Sequence, residues 1–249
     1  MASFPSRAKL TTILSWSFSR YSTYSQCPLK LKLSALDKIQ EPKNDAMTRG
    51  ALIHDEARDY LMGKVRTVPK SLKLVGDELK RLRRVAKLEV SQASIEDNWA
   101  FKNDWTLTRW DDWAQCWVRI KLDMAHIEGD VLVVTDWKTG KFRSDNLQDY
   151  LEQLELYGLG ALLMYGATRP GIRVRPRLIY TDHNVVYPGK DDPVIEYTMA
   201  DLPKLKKIWA ARVKPMLADK TFAPKPNRFC QWCHFRASNK ANGGGQCQY

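Results

Sequence analysis

Between Val118 and Lys138 the chain carries a pattern that few structures can satisfy. Val118, Ile120 and Leu122 alternate with Arg119, Lys121 and Asp123, and that period of two marks a strand with one apolar face. Glu128-Gly129-Asp130 supplies turn chemistry, and Val131-Leu132-Val133-Val134-Thr135 then reads as a short buried strand. The run ends in Asp136-Trp137-Lys138, just before the turn residues Thr139-Gly140-Lys141. If the two segments form a hairpin, Asp123 and Asp136 converge. Side chains alternate along a strand, so Asp136 and Lys138 share a face while Trp137 points the other way.

Two carboxylates and an ammonium are thereby gathered around one point. Close carboxylates repel unless a cation sits between them, and hard oxygen ligands suit Mg²⁺ or Mn²⁺. A lysine beside such an ion can orient or help deprotonate a metal-bound water. These are the parts needed for attack on a phosphodiester, since the metal acidifies the water and stabilises charge developing on phosphate. The alternative is an ordinary solvated pair at the end of a strand, and a bare Asp-x-Lys does not separate the two.

The remaining periodicities frame this hairpin. Ile53, Ala57, Tyr60 and Leu61 recur at helical spacing, with Thr48 a candidate N-cap, and a second helix with one basic face is expected over Leu72–Val90. From about Trp99 to Asp136 the period is two. A helix is expected from Asn146 to Tyr165, strands over Ile172–Thr181 and Val194–Thr198, and a helix opening after Asp201. From Pro224 on, the tail is rich in Pro, Gly and Cys and is expected to be irregular. This order predicts a mixed α/β fold, one central mixed sheet flanked by helices with a cysteine-bearing cap. At 249 residues the chain can bury one sizeable core, or one core with a small module.

Lys and Arg number 40 against 28 Asp and Glu, a net charge of +12. The excess concentrates in Lys80-Arg81-Leu82-Arg83-Arg84, Arg169–Arg177 and Lys204–Lys214. Such a balance favours a polyanionic partner, nucleic acid before membrane. No apolar run approaches the roughly 18 residues that span a bilayer. Arg7 and Lys9 precede Leu10–Leu14, but no small-residue cleavage site follows, so a signal peptide is not expected and the location read from the sequence is cytoplasmic.

Two further pieces lie in order around the hairpin. Arg49-Gly50-Ala51-Leu52-Ile53-His54 ends in one of only 4 histidines. Gln153-Leu154-Glu155-Leu156-Tyr157 puts an amide and a phenol four apart, on one helix face. Taken singly, His54 reads as a surface or satisfied core residue and Tyr157 as core. Together with Arg119–Asp123 and Asp136-Trp137-Lys138-Thr139-Gly140 they resemble the motifs of PD-(D/E)XK nucleases of the RecB branch. The hairpin is similar to the second and third motifs, the His54 segment to the branch's glycine-to-histidine helix, and the Gln153 segment to its Q-x-x-x-Y motif. The resemblance covers most of the chain, because Leu14-Ser15-Trp16-Ser17 and Tyr24-Ser25-Gln26-Cys27-Pro28 look like the opening helix of these enzymes.

The resemblance implies a restriction-endonuclease-like fold and a metal-dependent DNA exonuclease acting on single-stranded or frayed-end DNA in recombination, repair or degradation. It implies that His54, Asp123, Asp136 and the backbone carbonyl of Trp137 bind Mg²⁺ or Mn²⁺, that Lys138 positions the attacking water, and that Gln153 and Tyr157 hold the strand. Phe229-Cys230-Gln231-Trp232-Cys233-His234-Phe235 resembles the terminal cysteine segment of the iron–sulfur members, which include CRISPR-associated relatives and the AddB nuclease domain. Carried over by position, Cys27, Cys230, Cys233 and Cys247 would ligate a 4Fe–4S cluster. Residues 1–45 and 222–249 would then cap a single nuclease domain spanning 1–249.

The gap from Cys233 to Cys247 is longer than the family's usual short spacing, and Asn242-Gly243-Gly244-Gly245 lies within it. A zinc site using Cys230, Cys233, Cys247 and either Cys27 or His234 therefore stays open, as do unligated thiols. Cys116 reads as a small buried hydrophobe. Trp99, Trp105, Trp110 and Trp113 read first as packing residues and second as surfaces for unpaired bases. Competing functions are a flap or branch endonuclease, a non-catalytic DNA-binding adaptor, and a metalloprotein whose cysteine segment binds a partner. Family habit points to phage and prokaryotic enzymes of this size, with a helicase, a recombinase or a CRISPR-adaptation complex as alternative protein partners.

Overall fold

The hairpin expected from the sequence is the middle of a five-stranded sheet. In this computed structural model, which describes residues 11–88 and 93–249, the strands are β1 (Ala93–Phe101), β2 (Val118–Glu128), β3 (Val131–Lys138), β4 (Arg173–Tyr180) and β5 (Val185–Tyr187), paired in that order. Only β3 and β4 run parallel, and the chain passes between them through a helix, as a parallel pair requires. Gly129 closes the β2–β3 turn at φ 64, a conformation that costs glycine nothing. The sheet is mixed and flanked by helices, as expected. Arg7, Lys9, Leu10 and Val90 lie outside the described residues.

The described residues divide into two compact units, one within 43–209 and one of 11–42 with 210–249. In the first unit, α3 (Asp45–Leu61) and α4 (Gly76–Leu88) pack on one face of the sheet, where Ile53, Ala57, Leu79 and Leu82 meet Met124, Trp137 and Ile179. Each large side chain buried there is worth roughly 1.5–3 kcal/mol. On the other face lies α5 (Leu147–Tyr165), with Leu154, Leu156, Leu159 and Leu162 buried. Adjacent residues of β3 divide between the two faces, since Trp137 enters the α3/α4 core while Asp136 meets Tyr157 of α5.

In the second unit, α1 (Phe18–Gln26) leads into a short helix, α2 (Pro28–Leu31), and then a widened turn over Lys32–Leu36. Trp16, Leu31, Leu33, Phe222 and Phe235 are buried, and Tyr24 donates to Asp219 at 2.9 Å. The last helix, α6 (Leu202–Ala218), supplies residues to both units. Of the expected cap segments, 1–45 and 222–249, residues 11–42 and 222–249 belong to this second unit, and residues 1–10 lie outside the described residues. No helix among the described residues is long and apolar enough to cross a membrane.

Several local expectations are corrected. The cap of α3 is Asn44, which accepts from Met47 N at 2.8 Å, and Thr48 lies inside the helix. The first two turns are exposed, so apolar periodicity begins late and hides the true start. Lys70–Val75 forms a tight 3₁₀ turn, and only from Gly76 does an α-helix run. Period two does not persist from Trp99. Residues 102–117 form an irregular excursion in which Asp104 accepts from Thr106 N and Asp112 from Gln115 N. Val194–Thr198 makes a single bridge, Val174 to Tyr197, because Asp201 takes both Thr198 N and its hydroxyl to open α6. The edge strand is Val185–Tyr187 instead. The tail holds two short 3₁₀ segments, Arg228–Trp232 and Ala237–Asn242.

A methyl group on Gly160 would lie 2.6 Å from Ile120 and 2.9 Å from Trp99, closer than packed atoms stand. Gly160→Ala is expected to destabilise the protein by roughly 1–3 kcal/mol, read as a lower urea midpoint with an unchanged slope.

Candidate metal centre

The β2–β3 register pairs Met124 with Thr135, and one step further sets Asp123 opposite Asp136. Both aspartates are 6% exposed. Asp123 Oδ2 accepts from Trp137 N at 2.7 Å, and its Oδ1 lies 2.7 Å from His54 Nδ1. Asp136 Oδ1 accepts from the Tyr157 hydroxyl at 2.5 Å, and Gln153 Nε2 donates to that same hydroxyl at 3.0 Å. Lys138 Nζ stands 2.6 Å from Asp136 Oδ2 as an ion contact, yet that buried oxygen receives no aligned hydrogen bond. The structure thus gathers His54, Asp123, Asp136, Lys138, Gln153 and Tyr157. Tyr157 donates to Asp136 and Gln153 to Tyr157, while Trp137 gives its N–H to Asp123 and its indole to the core.

A local feature of β1 explains how helices on opposite faces reach one site. Trp99 and Ile120 lie against Gly160 of α5. Ile95 and Met124, four positions away on the same two strands and so of the same parity, pack with the α3/α4 core instead. The strand pair turns over between these positions, at Glu96 and Asp123. Glu96 there adopts a left-handed conformation, φ 55, which costs a non-glycine residue about 1–2 kcal/mol. At the turnover, His54 from α3 and Tyr157 from α5 both meet the carboxylates.

Glu96 is the residue the sequence reading missed. One oxygen of its carboxylate gathers with ligand atoms of His54 and Asp123 within 4.8 Å. The register Ile95–Met124 and Asp97–Leu122 places Glu96 directly across from Asp123, a relation visible only once the two strands are paired. It was hidden because β1 carries no clean alternation and begins before the stretch read as period two.

The ionisable groups of the site are displaced from their ordinary ranges by burial and by one another. Burial and the charge of Asp136 raise the Asp123 carboxyl above its ordinary range, against the lowering effect of His54 and the Trp137 N–H. Burial pulls His54 down, but its hydrogen bond and charge contact with Asp123, aided by Asp136, leave it raised. Burial and the same two aspartates push the Tyr157 phenol well above its usual value, so it remains a donor. The Asp136 oxygen, which meets only the Lys138 ammonium, and the N/O character of His54, Glu96 and Asp123 suit a hard divalent ion. The helix bearing His54 is tied to the loop after Lys138, since Arg49 grips Asp182 through two bonds of 2.7 and 2.6 Å and Gly140 N donates to Asp182.

In the second unit, Cys27, Cys230, Cys233 and Cys247 line one cavity of about 210 Å³, together with Leu33 and Phe235. Burial raises the Cys233 thiol. Four thiols from both ends of the chain thus face one space, a donor set that fits a soft metal group. Cys116 is buried just before β2. Much of the positive charge is spent internally. Lys80 pairs with Asp77, Arg81 with Glu78 and Glu128, and Arg177 with Glu78, while Arg173 and Arg175 both meet Glu196. Lys204, Lys207 and Lys214 of α6 are exposed. Trp99 is buried and Trp105 packs edge-on against Trp117, whereas Trp113 is 70% exposed and lies over Arg119.

Residues 15–238 match the family model described as the PD-(D/E)XK nuclease superfamily. Among curated proteins no sequence matches the chain. A solved structure described as "Crystal structure of SSO0001" aligns over 85% of this chain and 94% of its own, at 18% identity and a TM-score of 0.29, a likeness too distant to bear on function.

Because the Asp123 carboxyl and the His54 imidazole are both raised, the stability they contribute to the metal-free protein is complete below their ordinary ranges. It is lost as pH climbs through the raised values. Asp123→Asn is expected to raise the metal-free Tm at pH 7, by about 2–4 °C per kcal/mol relieved. Mn²⁺ is expected to raise the Tm of the wild type and leave the variant's unchanged. Thermal melts with EDTA and with Mn²⁺ check both.

Proposed function

The chain belongs to the PD-(D/E)XK nuclease superfamily, and from that membership we propose a Mg²⁺- or Mn²⁺-dependent deoxyribonuclease of RecB type that digests single-stranded or frayed-end DNA from a terminus. The observation that carries the reading is the pair of buried aspartates with an undonated Asp136 oxygen, a lysine 2.6 Å away and His54 on Asp123. In this reading His54, Asp123, Asp136 and the Trp137 carbonyl hold the ion. A divalent ion held there would supply acidification of a water and charge stabilisation at the phosphate.

Lys138 orients that water from beside Asp136. Tyr157 and Gln153 are positioning residues, fixing the Asp136 carboxylate through the hydroxyl that bonds both. The free lysines of α6 supply salt-dependent, sequence-independent affinity for the phosphate backbone.

The same reading takes Cys27, Cys230, Cys233 and Cys247 as ligands of a 4Fe–4S cluster in a cap built from 1–45 and 222–249. A closed zinc site sets its thiolates about 3.8 Å apart, from a Zn–S length of about 2.3 Å. The four cysteines share a cavity of about 210 Å³ with Leu33, Phe229 and Phe235, and neither of these metal groups is excluded by its volume. Soft thiolates and a partly apolar lining are what an iron–sulfur cluster uses.

Two measurements test this. On end-labelled linear single-stranded DNA with Mg²⁺ or Mn²⁺, the wild type is expected to shorten the substrate, EDTA to stop it, and Lys138→Ala or Asp136→Ala to slow it about a hundredfold or more. Circular single-stranded DNA is expected to survive; its cleavage would replace the exonuclease by an endonuclease, and inert, metal-loaded protein would leave the DNA-binding adaptor. Protein purified without oxygen is expected to contain iron and acid-labile sulfide, both lost in Cys27→Ser, whereas stoichiometric zinc would overturn the cluster.

A further inference from the structure

Glu96 holds a strained backbone, φ 55, and a carboxylate that is largely covered, with its side chain 13% exposed. Strain of that kind persists where the surrounding structure enforces a side chain's position. The position enforced here puts a Glu96 oxygen among ligand atoms of His54 and Asp123. Yet in the metal-free arrangement Glu96 Oε2 is met by Lys121 Nζ at 2.6 Å. Lys121 projects from β2, two residues before Asp123, and its side chain is 58% exposed. A cation therefore already stands at this carboxylate, carried on a long stem that can withdraw into solvent.

We infer that Glu96 is a ligand of the divalent ion and that Lys121 is its place-holder, displaced when the ion binds and thereby freed to pair with a DNA phosphate. The charge argument favours the exchange. A doubly charged ion bound by His54, Asp123 and Glu96 interacts more strongly with the carboxylate than one ammonium at the same separation. Lys138 is placed differently: it sits on Asp136, is only 28% exposed, and belongs to a strand without the left-handed kink. The two lysines thus divide the work, one beside the attacking water and one released toward the strand. Only this last step rests on the nuclease reading; the exchange of ammonium for metal does not.

The test is Mn²⁺ binding to metal-stripped protein without DNA, by calorimetry or by the paramagnetic resonance of free Mn²⁺. Glu96→Gln is expected to weaken binding about tenfold or more. Lys121→Met is expected to tighten it about three- to tenfold, because no ammonium competes for the carboxylate. With DNA added, Lys121→Met is expected to raise KM while kcat changes little. Unchanged affinity in Glu96→Gln, or unchanged or weaker affinity in Lys121→Met, overturns the inference and leaves a surface ion pair. If Glu96→Gln does not fold, Glu96→Asn, a residue that accepts the left-handed region, takes its place. Because metal binding is read without substrate, a protein that cuts no DNA sinks the nuclease reading while the exchange is still decided.

Discussion

Everything around the metal centre answers one repulsion, that between two buried aspartates which the β2–β3 hairpin sets side by side. Water cannot relieve it, because each residue is 6% exposed. The protein offsets it with a histidine and a backbone N–H on Asp123, and a phenol and a lysine on Asp136. Those partners are not enough, since the Asp123 carboxyl remains raised. A carboxylate pair that costs stability in this way is what the proposed divalent ion would relieve.

The hairpin alone does not deliver those partners. His54 comes from a helix on one face of the sheet and Tyr157 from a helix on the other, and a regular pleat would keep them apart. The turnover of β1 and β2 at Glu96 and Asp123 removes that barrier. Arg49 and Gly140, both bonded to Asp182, then hold the helix of His54 to the loop that follows Lys138. Strain at Glu96, burial of the carboxylates and the grip of Asp182 act as one device.

The sheet core and the hairpin were legible because period two and period 3.6 leave separate signatures, and the Asp123, Asp136 and Lys138 triad lies inside the clearest of them. His54, Gln153 and Tyr157 were legible only by resemblance, since a lone histidine or an i,i+4 pair carries little information by itself. Glu96 was not legible. Its role depends on cross-strand register and on a left-handed backbone, neither of which a local pattern records. Charge pointed to a polyanionic partner without showing which residues would meet it: within the basic runs at Lys80–Arg84 and Arg169–Arg177, Arg81, Arg173, Arg175 and Arg177 pair with Glu78, Glu128 or Glu196. The Val194–Thr198 strand failed because Asp201 draws Thr198 into a helix cap, a competition between side chain and ladder that hydrophobicity does not show.

The division of the chain bears on its birth. Residues 43–209 are contiguous, so the sheet with its aspartates can assemble on the ribosome as soon as they emerge. The cysteine cavity cannot, because Cys27 is made early and must wait for Cys230, Cys233 and Cys247. For most of synthesis the leading segment therefore travels without its partners, its thiol open to oxidation and its apolar residues uncovered. The sheet unit is thus complete in sequence before the cysteine-lined cavity can close.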